Sequence, residues 1–358
     1  MTAESIPTPV TVDGLRRRTG AAGLNRLAAA AAAVDGNAAR ALRFTVAEAD
    51  AIPRPGSGGT TELFDALATI AAADLTAARV IEAHLDALSI LGQAPTATGP
   101  AGSAQSWGVF AAEGPGQRLT ATRSDAGWHL DGRKPWCSLA GSLSHALVTA
   151  HTTAPGEQPG HRRLFAVDLA DPGVAVQPDA WVARGLTEVS SGPVDFTAVA
   201  AEPVGADEWY LSRPGFAWGG IQVAACWWGG AVGVARQLRR AAEKREPDQI
   251  MQAHLGAVDL ALVAAGAALH EAAQAIDAGE ATGVAGALLA DRVRGLVART
   301  VDEVLSRVGH ALGPAPLAMD DRHSRRVADL TLYVRQHHAE RDDAALGRRL
   351  LTLEDSAW

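Results

Sequence analysis

Residues Trp107 to Ser138 read WGVFAAEGPGQRLTATRSDAGWHLDGRKPWCS, and their pattern decides the fold. Apolar and polar residues alternate in short runs, broken at Gly114-Pro115-Gly116 and Asp125-Ala126-Gly127. That is the period-two signature of half-buried strands joined by tight turns. The flanks on both sides are alanine-rich and helical in period. A β module set between two helical blocks leaves few architectures to consider.

Before the module, residues from about 14 to 103 read as helices. Leu24 to Phe44 is alanine-rich with a break near Asp35-Gly36, and Ala47 to Gly59 is a Pro/Gly loop. Thr60 or Thr61 can cap a helix that carries Leu63, Leu67 and Ile70 on one face. Leu75 to Leu91 follows, with Val80, His84, Leu88 and Leu91 near one stripe, where His84 reads as a satisfied helix histidine. Within the module, strands are expected at Leu119–Arg123, Gly127–Asp131, Ala146–Ala150, Arg163–Val167 and Val194–Ala198, a spacing that implies a sandwich or barrel. After Trp209, helices are expected over Phe216–Arg240, Asp248–Ile276, Ala287–Leu312 and Asp320–Leu351. Leu255, Leu262 and Leu269 lie seven apart, as packed antiparallel helices need. The fold class is therefore α+β multidomain, with an N-terminal helical domain (1–104), a middle β domain (105–206) and a C-terminal helical bundle (207–358).

The chain has 358 residues, 47% of them hydrophobic, enough to bury large cores. A net charge of −8 argues against a nucleic-acid partner, which needs a clustered basic face. The two cysteines, Cys137 and Cys226, form no CxxC, which fits a reduced cytoplasmic protein. The first residues lack a basic and apolar leader, and no apolar run is long enough to suggest a membrane span. Metal-ligand spacings, a P-loop and GxGxxG are all missing from the sequence, so no metal is expected.

The order of these motifs resembles the acyl-CoA dehydrogenase superfamily of flavoproteins over nearly the whole chain. Val109-Phe110-Ala111-Ala112-Glu113-Gly114 is similar to that family's FALTEPxAGSD segment. Gly132-x-Lys134-x-Trp136-Cys137-Ser138 is similar to its G-x-K-x-W-I-T/S. Arg184-Gly185-Leu186, Phe196 to Val199, Pro203 and Gly205 resemble the signature closing its β domain. The resemblance implies an FAD-dependent oxidoreductase acting on an acyl thioester or similar small molecule, and a homodimer or homotetramer. An electron-transfer flavoprotein or a flavin reductase would be the redox partner. It also implies that Phe110, Ala112, Trp136, Cys137 and Ser138 meet the flavin, with Trp136 flanking the ring and the Ser138 hydroxyl near N5. A buried Trp in a β-hairpin is the plainer reading of the same residues.

Phe216 to Arg236 resembles the family's pocket helix, which marks Trp218, Gln222 and Val223 as substrate-pocket candidates; helix packing with aromatic filler is the alternative. Arg245 and Gln252, with Gly313, correspond to residues that hold the FAD diphosphate, although Glu246-Pro247-Asp248 replaces the usual phenylalanine and glycine. Arg325-Arg326-Val327-Ala328-Asp329 leads towards the place of the family's catalytic glutamate. Counting from Asp329 lands on His337, aligning on Tyr333 lands on Val334, and the other known position for the base lands on Val223. None is a carboxylate. His337 or His338 is then the candidate base, because imidazole titrates near neutral pH; a solvated helical face is the other reading. Flavin monooxygenases of the same fold need no carboxylate base, and Gly347-Arg348-Arg349-Leu350-Leu351 is similar to their closing segment. A catalytically silent homologue that binds an acyl ligand or partner is the third possibility.

Overall fold

The computed structural model describes residues 8–13, 21–95, 105–153, 160–177, 180–244 and 246–353. Four helices come first: α1 (Ala21–Ala32), α2 (Ala38–Glu48), α3 (Thr60–Ala73) and α4 (Leu75–Gln93). The break expected near Asp35-Gly36 separates α1 from α2. There Asp35 and Gly36 take φ of 50° and 71°, and Asn37 caps α2 by accepting from the Arg40 N–H. Asp74 separates α3 from α4 and caps α4 by accepting from the Ala77 N–H. It also accepts from the Gly36 N–H, tying the two helix pairs together. His84 is satisfied as expected, its Nδ1 accepting from the Trp107 N–H at 3.2 Å.

Seven strands follow: β1 (Trp107–Phe110), β2 (Leu119–Ser124), β3 (Gly127–Lys134), β4 (His145–Thr153), β5 (Arg162–Asp168), β6 (Val174–Val176) and β7 (Val194–Val204). One edge of β4 is shared by β1 and β2, both parallel to it, and its other edge pairs antiparallel with β5. β5 pairs with β7, β7 with β3, and β3 with β2, so the ladder returns to β4. Phe110, Leu130, Val148, Phe165 and Val199 fill its inside. Buried Lys134 is also accommodated there, its Nζ donating to Thr149 Oγ1 at 2.8 Å. Burial pushes that ammonium down to about 8.

The chain then enters α5 (Trp209–Ser212), α6 (Pro214–Lys244), α7 (Gln249–Asp277), α8 (Gly283–Leu312), α9 (Ala315–Met319), α10 (Asp321–Tyr333) and α11 (Glu340–Leu350). α6 runs between α3 and α8, while α7 packs on α3, α6 and α8. By length and composition alone α7 could cross a membrane; here it is one layer of the helical assembly. Its outer face leaves Ile250, Leu260 and Val263 exposed.

The single helix expected over Asp320–Leu351 is instead two. α10 ends at Tyr333 and α11 begins at Glu340, with a short 3-10 turn between them. The reason is local: Ala339 takes φ 48°, and the Asp342 carboxylate accepts the His338 N–H at 3.0 Å. α10 is bound back onto the N-terminal helices, with Arg326 Nη2 donating to the carbonyls of Ala72 and Ala73. Its Asp329 accepts the Leu186 N–H from the segment before β7.

Candidate functional site

The turn after β3 carries two non-glycine residues with positive φ within four positions. Trp136 has φ 59° and Leu139 φ 57°, a left-handed conformation that costs a non-glycine residue roughly 1–2 kcal/mol. Two bonds pin the turn to the segment before β7, from Cys137 N–H to Gly192 O and from Leu139 N–H to Ser190 O. Trp136 is 60% exposed. Cys137 turns the other way, into the sheet core. Its thiol is buried against the Lys134 carbonyl and pushed up to about 12 by burial. Phe110 is likewise buried in that core, while Ala112 lies exposed just past β1.

Ser138 opens a hydrogen-bonded chain that runs into the helices. Arg79 on α4 donates from Nη2 to Ser138 Oγ at 3.0 Å, and Ser138 lies 2.8 Å from Ser191 Oγ. The Arg79 guanidinium also meets Glu82 Oε2 at 3.4 Å, and the Tyr333 hydroxyl donates to that same oxygen at 3.3 Å. From α6, Gln222 Nε2 donates to the Glu82 backbone carbonyl, leaving Gln222 Oε1 buried without a hydrogen-bond partner. The Arg294 guanidinium of α8 stacks 4.8 Å from the Trp227 ring centroid, and Trp227 meets Tyr333 edge-on. α4, α6, α8 and α10 thus converge on one buried carboxylate, one turn of helix from Ser138's partner.

Burial pushes the Glu82 carboxyl up to about 7, against the pull of Arg79 and with Asp86 adding to the rise. Arg79, Asp86, Cys226, Arg294 and Tyr333 are the ionisable groups around it. The sign follows from proton counting. Between about 4.5 and 7 the folded chain holds a proton that the unfolded chain has released, so this group makes stability fall as pH rises through that window. Glu82→Gln is therefore expected to melt higher than wild type at pH 8, by on the order of 3 kcal/mol, and to lose that advantage at pH 4. Melting temperatures across pH check this; equal pH slopes for both proteins would refute it.

The remaining candidates lie elsewhere. His337 is buried, with Nδ1 accepting the Ala339 N–H and Nε2 3.8 Å from Asp342. His338 is exposed and faces Asp342 at 3.4 Å. His337, Arg299, Asp302 and Asp343 line a separate cavity of about 180 Å³ between α8 and α11. Trp218 donates from Nε1 to the Ala281 carbonyl, so its ring faces the α7–α8 turn, and Val223 is partly buried on α6. Gln252 is exposed and donates to Pro247 O. Gly313 ends α8 with φ 65°, and Arg245 lies outside the described residues. Of the predicted residues, the structure brings Ser138 and Gln222 to one buried network. Arg79 and Glu82, its centre, were missed. Their signal is in the sequence: Arg79, Glu82 and Asp86 recur at helical spacing in a mainly apolar segment.

The order of helices, sheet and helices is an acyl-CoA dehydrogenase-like fold. Solved structures similar to it include KijD3 in complex with FMN and dTDP-3-amino-2,3,6-trideoxy-4-keto-3-methyl-D-glucose, at 20% identity over 98% of each chain with a TM-score of 0.77. Dibenzothiophene monooxygenase TdsC from Paenibacillus sp. A11-2 is similar at 20% identity, covering 89% of this chain and 96% of that one with a TM-score of 0.69. Butyryl-CoA dehydrogenase from Megasphaera elsdenii is similar at 16% identity over 82% of each chain, with a TM-score of 0.69. No protein-family model matches the sequence, and no curated protein matches it.

Proposed function

We propose that this protein is a flavin-dependent oxidoreductase acting on a small molecule, with the flavin ring against Trp136 and Ser138. The observation that carries this reading is Trp136 itself. A large aromatic ring is held in the open, on a strained left-handed backbone, beside a serine wired to a buried Arg–Glu–Tyr cluster. Strain kept at an exposed aromatic is what a ligand-stacking platform looks like. A flavin so placed would supply the two-electron chemistry. Trp136 would cover one face of the ring, and Ser138 would hydrogen-bond its edge. Phe110 and Ala112 would complete the contact. Arg245, Gln252 and Gly313 would hold phosphate. FAD is the form the resemblance implies; the FMN in KijD3 and in two TdsC structures makes FMN the competing form.

We take Glu82 rather than His337 or His338 as the proton-handling group, because it shares hydrogen bonds with the Ser138 network and the histidines do not. An acyl thioester is one substrate class. A monooxygenase reaction is the second reading, favoured by the polar residues Arg79, Glu82 and Gln222 on the helices where an acyl chain would need apolar lining. We further read residues 1–104, 105–206 and 207–358 as three domains, and the exposed apolar face of α7 as covered by a second copy in a homodimer or homotetramer. Both cysteines are free and buried, which fits a reducing cytoplasm.

The visible spectrum of the purified protein tests the reading, together with its mass by light scattering and anaerobic titration with acyl-CoAs. Yellow protein that bleaches on a thioester identifies a dehydrogenase. Yellow protein that does not bleach, yet consumes oxygen once reduced by a flavin reductase, identifies a monooxygenase. Protein that stays colourless with added FAD and FMN overturns both in favour of a silent, ligand-binding homologue.

A further inference from the structure

A larger cavity, of about 560 Å³, lies at the opposite end of β3 from Trp136, with Trp107, Trp128, His145, Asp168 and Glu202 in its lining. Trp128 is the second residue of that strand, whereas Trp136 follows its last, so the length of β3 separates the two places. The volume is in the range that takes a small molecule. Ala166 on β5 and Ala200 and Ala201 on β7 also line it, and such short side chains leave room for a flat ring beside the two indoles. Two buried polar atoms of this region, Trp107 Nε1 and Gln105 Oε1, have no hydrogen-bond partner among the described residues. Trp107 is 4% exposed and stacks on His145 with 4.7 Å between ring centroids, so the indole is not free to swing its N–H out to water. A buried donor and a buried acceptor left open are costly unless something fills them.

Hydrogen-bond direction adds a further acceptor. Ser144 Oγ spends its one hydrogen on the Ser106 carbonyl at 2.9 Å. The 2.9 Å contact between Ser144 Oγ and His145 Nδ1 then takes its hydrogen from the imidazole, which leaves Nε2 of the neutral ring as a lone pair. Charge is one-sided as well. Asp168 and Glu202 stand on the neighbouring strands β5 and β7, where Ala166 pairs with Glu202, and no lysine or arginine is among the described residues that line the cavity.

We propose that this cavity is a second binding site, for an aromatic amine that carries a hydroxyl group. Gln105 and Trp107 are two residues apart on extended chain, on the same side of it, and one hydroxyl can accept from the Trp107 N–H while donating to Gln105 Oε1. The ring lies beside the indoles, and the ammonium meets the carboxylates of Asp168 and Glu202. None of these residues belongs to the Trp136 turn or to the Glu82 network, so the site stands whether or not the flavin reading does.

Isothermal titration calorimetry of the full-length protein with tyramine tests it. Phenethylamine, which lacks the hydroxyl, and hydroxyphenylpropionate, whose charge is reversed, are the comparisons. Saturable binding of tyramine at one site is expected, about 10-fold or more tighter than that of phenethylamine, with no binding of the acid. Trp107→Phe keeps the ring and removes an N–H that has no partner in the protein, so it is expected to melt like wild type and to lose about 3- to 10-fold in tyramine affinity. The double change Asp168→Asn and Glu202→Gln, at two exposed positions, is expected to weaken tyramine by a similar factor. Absence of tyramine binding at millimolar concentration overturns the proposal. Equal affinity for phenethylamine or for the acid also overturns it, as does displacement of tyramine by FAD or FMN, which would put the amine in the flavin site. Tyramine bound by protein that takes up neither flavin upholds this site and overturns the functional reading alone.

Discussion

Replacing Gly229 with valine is expected to abolish the cooperative melting transition of the purified protein. Gly229 lies where α6 crosses α3 at backbone contact. A Cβ there would stand 2.5 Å from the Ala68 Cα and closer still to the Ala68 carbonyl oxygen. Neither atom belongs to a flexible side chain, so the helices themselves would have to separate. α3 is the most buried helix of the N-terminal group, and α6 is the spine of the C-terminal one, so separating them opens the largest core of the molecule. Overpacking against side chains usually costs about 1–3 kcal/mol. Against backbone, with two γ-methyls added, the cost is expected at or above the top of that range, a large share of the roughly 5–15 kcal/mol that holds a domain folded. Gly309 on α8 is the control. A Cβ there meets nothing within 4 Å, so Gly309→Ala should be neutral or stabilising by about 0.5–1 kcal/mol. Thermal melts followed by circular dichroism separate the two, and a Gly229→Val protein melting within a few degrees of wild type would refute the argument.

The second large effect is expected at Trp136, and it should divide stability from binding. Substitution by glycine relieves the left-handed backbone, worth roughly 1–2 kcal/mol. It also gives up the packing of the buried part of the ring, of similar size at ~25 cal/mol per Å². The two nearly cancel, so the flavin-free protein should melt within a few degrees of wild type. Flavin affinity should not be spared. A stacked aromatic contact contributes about 1–3 kcal/mol to holding a flat heteroaromatic ring, which predicts a dissociation constant raised about 10- to 100-fold. Fluorescence titration with FAD and FMN measures it. Unchanged affinity in a well-folded Trp136→Gly protein would remove Trp136 from the site.

The parts of this structure that could be read from the sequence are those set by neighbours in the chain. Gly132, Lys134, Trp136 and Ser138 sit together because a strand and its turn place them together, and the alternation from Leu119 to Lys134 is a local pattern. The break at Asp35-Gly36 was visible for the same reason. What stayed hidden depends on distant partners. Glu82 reads as one more charge on a helix until Tyr333, Gln222 and Arg294 arrive from three other helices to bury it. The end of α10 was misplaced because Asp342 and Ala339 stop the helix by local hydrogen bonding where the residue types would allow it to continue. Trp136 was identified as an aromatic at a motif position, but nothing in the residue type announces a left-handed backbone, where glycine would be the default.

The bonds from α10 to the N-terminal helices also have a bearing on how the chain is made. Tyr333 and its acceptor Glu82 are 251 residues apart, and Arg326 and the Ala72 carbonyl are 254 apart. At about 5–20 residues per second, a ribosome needs about 12–50 seconds to reach the partner after the acceptor has been made. For that interval the face of α3 and α4 that will meet α10 has no cover from its own chain. The nascent N-terminal block is therefore a natural client for a ribosome-associated chaperone, and slow codons within the α6–α10 stretch would lengthen its exposure.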